Sequence, residues 1–196
     1  GWFIDLDYLQ ILSFSPERLF KVKNGYIFSN PIKGTMPRSK DIKLDNKYKN
    51  QLKKSAKDQA ENLMITDLIR NDLGKICKYG SIEVNELFKV VSFETVHHMV
   101  SKISGKLKLN INELDVIKAL FPGGSITGAP KESAMKIIDK LENYSRELYT
   151  GSIGYVESDG TMDFNIAIRT IINNNDCLKY SVGGGLNNPS SFKSSK

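Results

Sequence analysis

Cysteine is scarce in this chain and long apolar runs are missing, and each shortage removes a class of protein. Two cysteines, Cys77 and Cys177, lie far apart with no metal-like spacing. That pattern suits reduced, structural thiols and argues against a disulfide framework or a zinc site, so neither is given a role. No stretch reaches the roughly 18 apolar residues of a membrane-spanning helix. The N-terminus also lacks the basic segment and apolar core of a secretory signal. The expectation is therefore a cytoplasmic protein with no membrane partner. Internal repeats and interdomain linkers are absent as well, and 196 residues suffice for one core of ordinary size. Residues 1–196 are read as one domain.

What the chain does have is positive charge, +6 in total, with a basic run at Lys43, Lys47, Lys49, Lys53, Lys54 and Lys57. Such a run could follow a nucleic-acid backbone, but aromatic residues are poorly interleaved with it. Its lysines fall mostly on one side of a helix whose inward stripe would be Leu52, Ala56, Ala60, Met64 and Leu68. A solvated face is the better reading, and no nucleic-acid partner is expected. A positive field also attracts small anions such as a dicarboxylate.

Periodicity orders the rest. Alternation from Trp2 to Phe14 reads as strand, and Leu19 to Phe28 as a hairpin turning at Asn24-Gly25. A long helix is predicted from about Asn46 to Asp72, ending near Gly74, followed by two or three strands between Ile82 and Leu107. Asn112 should cap a short helix over Glu113 to Leu120 that buries Leu114, Ile117 and Leu120 or Phe121. Lys131 to Glu142 should form another helix, with Ala134, Ile137, Ile138 and Leu141 inward. Strands follow, turning at Asp159-Gly160 and between Asn173 and Asp176. Blocks of strand separated by helices, without regular βαβ alternation, argue for an α+β protein with antiparallel sheets.

The densest motif is Phe121-Pro122-Gly123-Gly124-Ser125-Ile126-Thr127-Gly128-Ala129-Pro130-Lys131. Glycines, hydroxyls and a lysine before a helix suit the binding of a carboxylate or phosphate. A nucleotide P-loop would need Gly-Lys-Ser/Thr, which is missing, and the glycines could also merely turn the chain into a helix. Around this loop stand Ser15-Pro16-Glu17-Arg18, Pro31-Ile32-Lys33-Gly34-Thr35, Glu61-Asn62-Leu63-Met64, Leu68-Ile69-Arg70-Asn71-Asp72, Val96-His97-His98-Met99, Ile166-Ala167-Ile168-Arg169-Thr170 and Gly183-Gly184-Gly185.

In this order and spacing, the set resembles the chorismate-binding enzymes, which include anthranilate synthase, aminodeoxychorismate synthase component I, isochorismate synthase and salicylate synthase. The resemblance implies two stacked antiparallel sheets wrapped by helices. Lysine in Pro-Ile-Lys-Gly-Thr, where the anthranilate branch has alanine, points to the aminodeoxychorismate branch. So do Leu-Ile before Arg70, the pair His97-His98, and the Phe-Pro-Gly-Gly start of the loop. The implied reaction is amination of chorismate to 4-amino-4-deoxychorismate, on the route to p-aminobenzoate and folate. Ammonia would come from a glutamine amidotransferase subunit or fused domain.

The resemblance implies that Lys33 attacks the substrate ring and that Glu17 is the general acid. It places Gly34, Thr35, His98, Thr127, Gly128, Arg169, Gly183, Gly184 and Gly185 around the substrate, and makes Glu61 a ligand of Mg2+. From the residues alone, other roles stay open. Lys33 could be a solvated lysine near a turn, Glu17 an ion-pair partner of Arg18, Glu61 a partner of Lys57, His98 a packed strand residue, and the triple glycine a flexible strand end. The family's further metal glutamates lie in an acidic helix after the triple glycine, whereas no Asp or Glu follows Asp176 here. The chain is thus expected to be part of the domain, incomplete at both ends and inactive alone. The alternatives are anthranilate synthase component I, or an inactive fragment that binds only a ligand or partner.

Overall fold

The computed structural model describes residues 1–174 and 177–185. Among the described residues, eleven strands and five helices alternate in blocks. The first sheet holds β1 (Trp2–Leu6), β2 (Leu9–Ser13), β10 (Thr170–Asn173) and β11 (Leu178–Tyr180), in that spatial order. The second contains β3 (Arg18–Lys23), β4 (Tyr26–Ser29), β5 (Ile32–Pro37), β6 (Glu83–Ser92), β7 (Val96–Lys106), β8 (Gly154–Val156) and β9 (Met162–Asn165). Every pairing is antiparallel, so the α+β class holds. Strand β7 organises the larger sheet. One edge pairs along its length with β6, leaving the other to β4 and then β5.

Helices α1 (Ile42–Lys54) and α2 (Ala56–Ile76) lie on this sheet and α3 (Glu113–Leu120) packs against α2, while α4 (Gly124–Thr127) lies within the glycine loop and α5 (Lys131–Leu141) follows it. Phe20, Ile27, Ile65, Leu73, Ile103, Val116 and Met162 form the main core, with Phe20 stacked on Phe164 at 5.1 Å between ring centroids. Each large side chain buried there contributes about 1.5–3 kcal/mol. That burial clamps α2 and α3 to the sheet and so fixes both flanks of the glycine loop.

The chain passes between the sheets twice, and the two crossings run side by side. Residues 14–17 lead from β2 to β3, and residues 166–169 lead from β9 to β10. The Ile166 amide donates to the Glu17 carbonyl and the Phe14 amide to the Arg169 carbonyl, each at 3.0 Å. Ser13 and Thr170 hydroxyls meet at 2.8 Å. These bonds satisfy backbone that has left its own ladders.

Some elements depart from the sequence expectation. The Trp2 to Phe14 segment is a hairpin, turning at Asp7-Tyr8, a pair without the glycine signature of a tight turn. The long helix is two helices. Ser55 ends α1 in an extended conformation and caps α2, its hydroxyl accepting from the Asp58 amide. This break resets the helical phase. Leu52 is buried, but Ala56, Ala60 and Met64 are exposed, and α2 instead buries Asn62, Ile65, Thr66, Ile69, Asp72, Leu73 and Ile76. A half-polar stripe of that kind escapes a search for apolar periodicity. The capping box at Asn112 forms as expected, yet α3 buries Val116 and Leu120 and exposes Leu114. Helix α5 has the predicted span but no buried residue, and Ile137 and Leu141 face outward. Periodicity specifies a helix with an apolar face, not what covers it. The basic run is solvent-facing throughout. The β10–β11 turn falls partly outside the described residues. No helix among the described residues is long and apolar enough to cross a membrane.

Candidate active site

Strand β5 carries the site's lysine on a bulge. Ile32 pairs with Val100 and Thr35 with His98, so β5 advances three residues while β7 advances two. A bulge re-aims the side chains it carries. Gly34, within it, has φ +85°, and a Cβ there would sit 2.8 Å from Leu52 Cδ1 and 2.9 Å from Asp58 Cβ. Glycine is required on both counts, by the left-handed backbone and by the junction of α1 and α2 pressing against it. Gly34→Ala is expected to destabilise the fold by about 2–3 kcal/mol, read as a lower urea midpoint at unchanged slope. An unchanged midpoint would show that the junction yields freely.

From the bulge, Lys33 Nζ donates to the Ser125 carbonyl at 3.1 Å, joining β5 to the glycine loop. Glu17 completes the group. It is 8% exposed, and burial raises its carboxyl pKa above the usual value. Three weaker influences pull the other way: the nearby Ser125 hydroxyl, the Lys33 charge and the Ile32 backbone. Ser125 Oγ is buried with no well-formed hydrogen bond, so it lies beside the carboxylate without being committed to another group. Arg18, the partner Glu17 could have had, instead makes a bidentate pair with Asp163 at 2.8 and 3.1 Å. Glu17 therefore faces the lysine, not its sequence neighbour.

The paired histidines have separate jobs. His97, fully buried, bridges Ser92 Oγ at 2.8 Å and Asp45 Oδ1 at 3.1 Å, tying β7 to α1. His98 points to the site. Its Nδ1 lies 2.9 Å from Thr35 Oγ1 and its ring meets Phe93 edge-on. Burial lowers its pKa, the Gly34 backbone favours the charged form, and the Arg169 charge lowers it again. Arg169 thus projects its charge towards His98. It is exposed, and its backbone sits at φ +50°, a left-handed conformation uncommon for a residue with a side chain. The crossing bond from Phe14 holds it there.

Glu17, Lys33, Gly34, Thr35, His98 and Arg169 are therefore brought together where the sheets join. Thr127 is nearby in the loop, but its hydroxyl donates inward to the Gly123 carbonyl at 2.9 Å. Gly128 has φ +140° and lies close to Ala134. Gly183 stands against Tyr149, whereas a Cβ at Gly184 or Gly185 would meet no described atom. Tyr149 follows Arg146, which donates to the Ile126 carbonyl at 3.3 Å and so links this second neighbourhood to the same loop. Glu61 is half-buried on α2, with Lys57 Nζ 3.9 Å away. Among the described residues, no group of three His, Cys, Asp or Glu converges as a metal site would.

Of this group Glu17 also lines an open cleft of about 680 Å³, together with Ser15, Arg18, Ile32, Phe93 and Tyr155, among others. Its volume suits a small ring compound. Sequence reasoning did not single out Ser125, Phe93, Arg146 or Tyr149. Ser125 lies inside the conspicuous loop, and its position between two glycines and a hydroxyl residue was the available signal.

Comparison with known proteins follows the same lines. Residues 1–193 match the family described as chorismate binding enzyme. The chain is 50% identical over 176 residues to aminodeoxychorismate synthase component 1 of Salmonella typhimurium, a match covering 90% of this chain and 39% of that protein. Anthranilate synthase component 1 of Saccharolobus solfataricus is 43% identical over 185 residues, covering 94% of this chain and 44% of that protein. The crystal structure of anthranilate synthase component I from Streptococcus pneumoniae TIGR4 shares the fold with a TM-score of 0.81 at 38% identity, over 89% of this chain and 38% of that one. The chain spans about two fifths of the length of these curated relatives.

Proposed function

Because the chain belongs to the chorismate-binding enzyme family, we propose that it supplies the reacting residues for amination of chorismate to 4-amino-4-deoxychorismate, on the route to p-aminobenzoate and folate. One observation carries the reading: Lys33 leaves a strand bulge to meet the loop carbonyl of Ser125 beside a buried glutamate whose pKa is raised. A lysine and an acid held this way suit a displacement in which an amine enters and a hydroxyl leaves.

In the proposed sequence Lys33, once deprotonated, bonds to C2 of the ring as the C4 hydroxyl departs. Glu17 protonates that hydroxyl so that it leaves as water. Ammonia then bonds to C4 and the C2–lysine bond breaks, returning the amine. A buried carboxyl that resists charge keeps the proton it has to donate. Arg169 is assigned to a substrate carboxylate as a planar fork, with His98 and Thr35 along the ring and the loop and Gly183 to Gly185 supplying further donors. Ammonia is assigned to a glutamine amidotransferase partner, in keeping with relatives named as component 1.

Mg2+ belongs to the proposal with a limit. It is a hard cation that takes carboxylate and water oxygens, and Glu61 is a suitable ligand. By itself Glu61 does not make a site, and it is paired towards Lys57. Its partners would be substrate oxygens, water and carboxylates outside the described residues, and no step above passes through the metal.

Product analysis tests the reading. The full-length protein supplied with chorismate and ammonia is expected to release an aminated ring that retains the enolpyruvyl ether, identified by mass. Release of pyruvate with anthranilate would overturn it in favour of the anthranilate reaction, and no turnover of a folded protein would favour a role limited to binding.

A further inference from the structure

Beneath the proposed site, a buried ion pair closes the glycine loop. Lys131, the first residue of α5, places Nζ 2.5 Å from Asp72 Oδ2 on α2, and the same ammonium donates to the Leu120 carbonyl at 3.4 Å. Leu120 is the last residue of α3. One ammonium thus gathers the residue before the loop, the residue after it and the helix beneath. Asp72 is 6% exposed at its side chain and Lys131 15%, while the other Asp72 oxygen takes Lys75 at 2.8 Å. Two ammonium groups thus share one buried carboxylate, and the contact with Lys131 is the more shielded from water of the two, a geometry that fixes position more firmly than an exposed pair does.

The loop this pair closes is wedged along its length. A Cβ at Gly123 would lie 3.0 Å from Ile166 Cδ1 and 3.2 Å from Leu19 Cδ1, and one at Gly124 would crowd Leu68 of α2. Asp72 and Ser125 both line the small void under Glu17. Any movement of the loop on α2 therefore moves the carbonyl that holds Lys33 and the hydroxyl beside Glu17.

We propose that Asp72 and Lys131 are positioning residues that latch the glycine loop to α2, so that Ser125 is presented to Lys33 and Glu17 at once. The inference rests on the aminating reading above for its effect on rate, but not for its effect on Lys33. Neither residue touches substrate. Their influence passes through Ser125, and a displacement of about 1 Å in such a site lowers rate by as much as about 100-fold.

The test uses the full-length protein with Lys131→Met, Lys131→Arg and the double variant Asp72→Leu/Lys131→Met, which leaves no unpaired buried charge. Two quantities are measured on the folded fraction: steady-state amination, and the rate of reductive methylation of Lys33 by formaldehyde and borohydride, mapped by peptide mass. Lys131→Met and the double variant are expected to lower kcat by about 10- to 100-fold, with KM changed by less than about threefold, and to alter the Lys33 methylation rate several-fold. Lys131→Arg should restore most of both. A folded double variant with wild-type kcat and an unchanged methylation rate would overturn the latch. If the wild-type protein releases anthranilate or turns nothing over, the aminating reading falls, while an altered Lys33 methylation rate in Lys131→Met would still uphold the latch.

Discussion

Lys33→Ala is expected to reduce amination of chorismate by on the order of 10³-fold or more while leaving the protein folded. The size follows from the role. If the amine must bond to the ring before ammonia enters, its removal eliminates the pathway instead of weakening a contact. Folding should survive because Lys33 is only half-buried and its hydrogen bond is a single contact to a loop carbonyl. Lys33→Arg should be nearly as inactive as alanine. Guanidinium keeps the charge and still reaches Ser125, but it does not deprotonate at any working pH. Rescue by arginine would mean that the charge mattered and the nucleophile did not.

Glu17→Gln should lower kcat by about 10²- to 10⁴-fold, the usual contribution of a positioned general acid. Its pH signature is more specific. The acid must hold a proton to donate it, so wild-type activity should decline as pH rises through the raised pKa of Glu17. The glutamine variant should lose that decline. Its effect on stability should be opposite to its effect on rate. Because burial lifts the folded-state pKa above the unfolded one, the folded protein holds the Glu17 proton more tightly, and that contribution is complete below the ordinary carboxylate range. It is lost as pH rises through the folded value. Glutamine cannot ionise, so Glu17→Gln should melt above wild type at neutral and alkaline pH, and the difference should vanish in acid. A variant less stable than wild type at pH 8 would mean that the carboxylate is held by stronger partners than Ser125, Lys33 and Ile32.

Individual candidate residues were more legible in the sequence than their meeting. Lys33 and Glu17 were legible because each stands in a short motif, and the motifs together resemble one family. Their convergence on Ser125 was not, since the bond from Lys33 spans 92 residues and depends on a bulge that pairing register alone reveals. Gly34 was expected near substrate, but its positive φ and the pressure of Leu52 and Asp58 give it a packing reason to be glycine. His97 and His98 read alike in sequence. Alternation along β7 sends one to α1 and the other to Thr35 and Phe93.

Helix positions were readable from caps and breakers, while their buried faces were not. Asn112 marked the start of α3 correctly because a capping box is local chemistry. Ser55 was passed over in a strongly helical stretch, and the phase beyond it was lost. On α2 the burial of Asn62, Thr66 and Asp72 serves polar contacts: the Ser101 hydroxyl meets Asn62, and Lys131 meets Asp72. Apolar periodicity has no means of reporting such contacts. The crossings at residues 14–17 and 166–169 were equally hidden, although they carry Glu17 and Arg169, because irregular backbone leaves no periodic trace.

The most direct test of the account is mass analysis of the full-length protein incubated with chorismate in the absence of ammonia, followed by peptide mapping. The account predicts an adduct of chorismate less one water on Lys33, discharged when ammonia is added and absent in Lys33→Ala. Turnover on later addition of ammonia, with Lys33 unmodified throughout or the label on another residue, would contradict it.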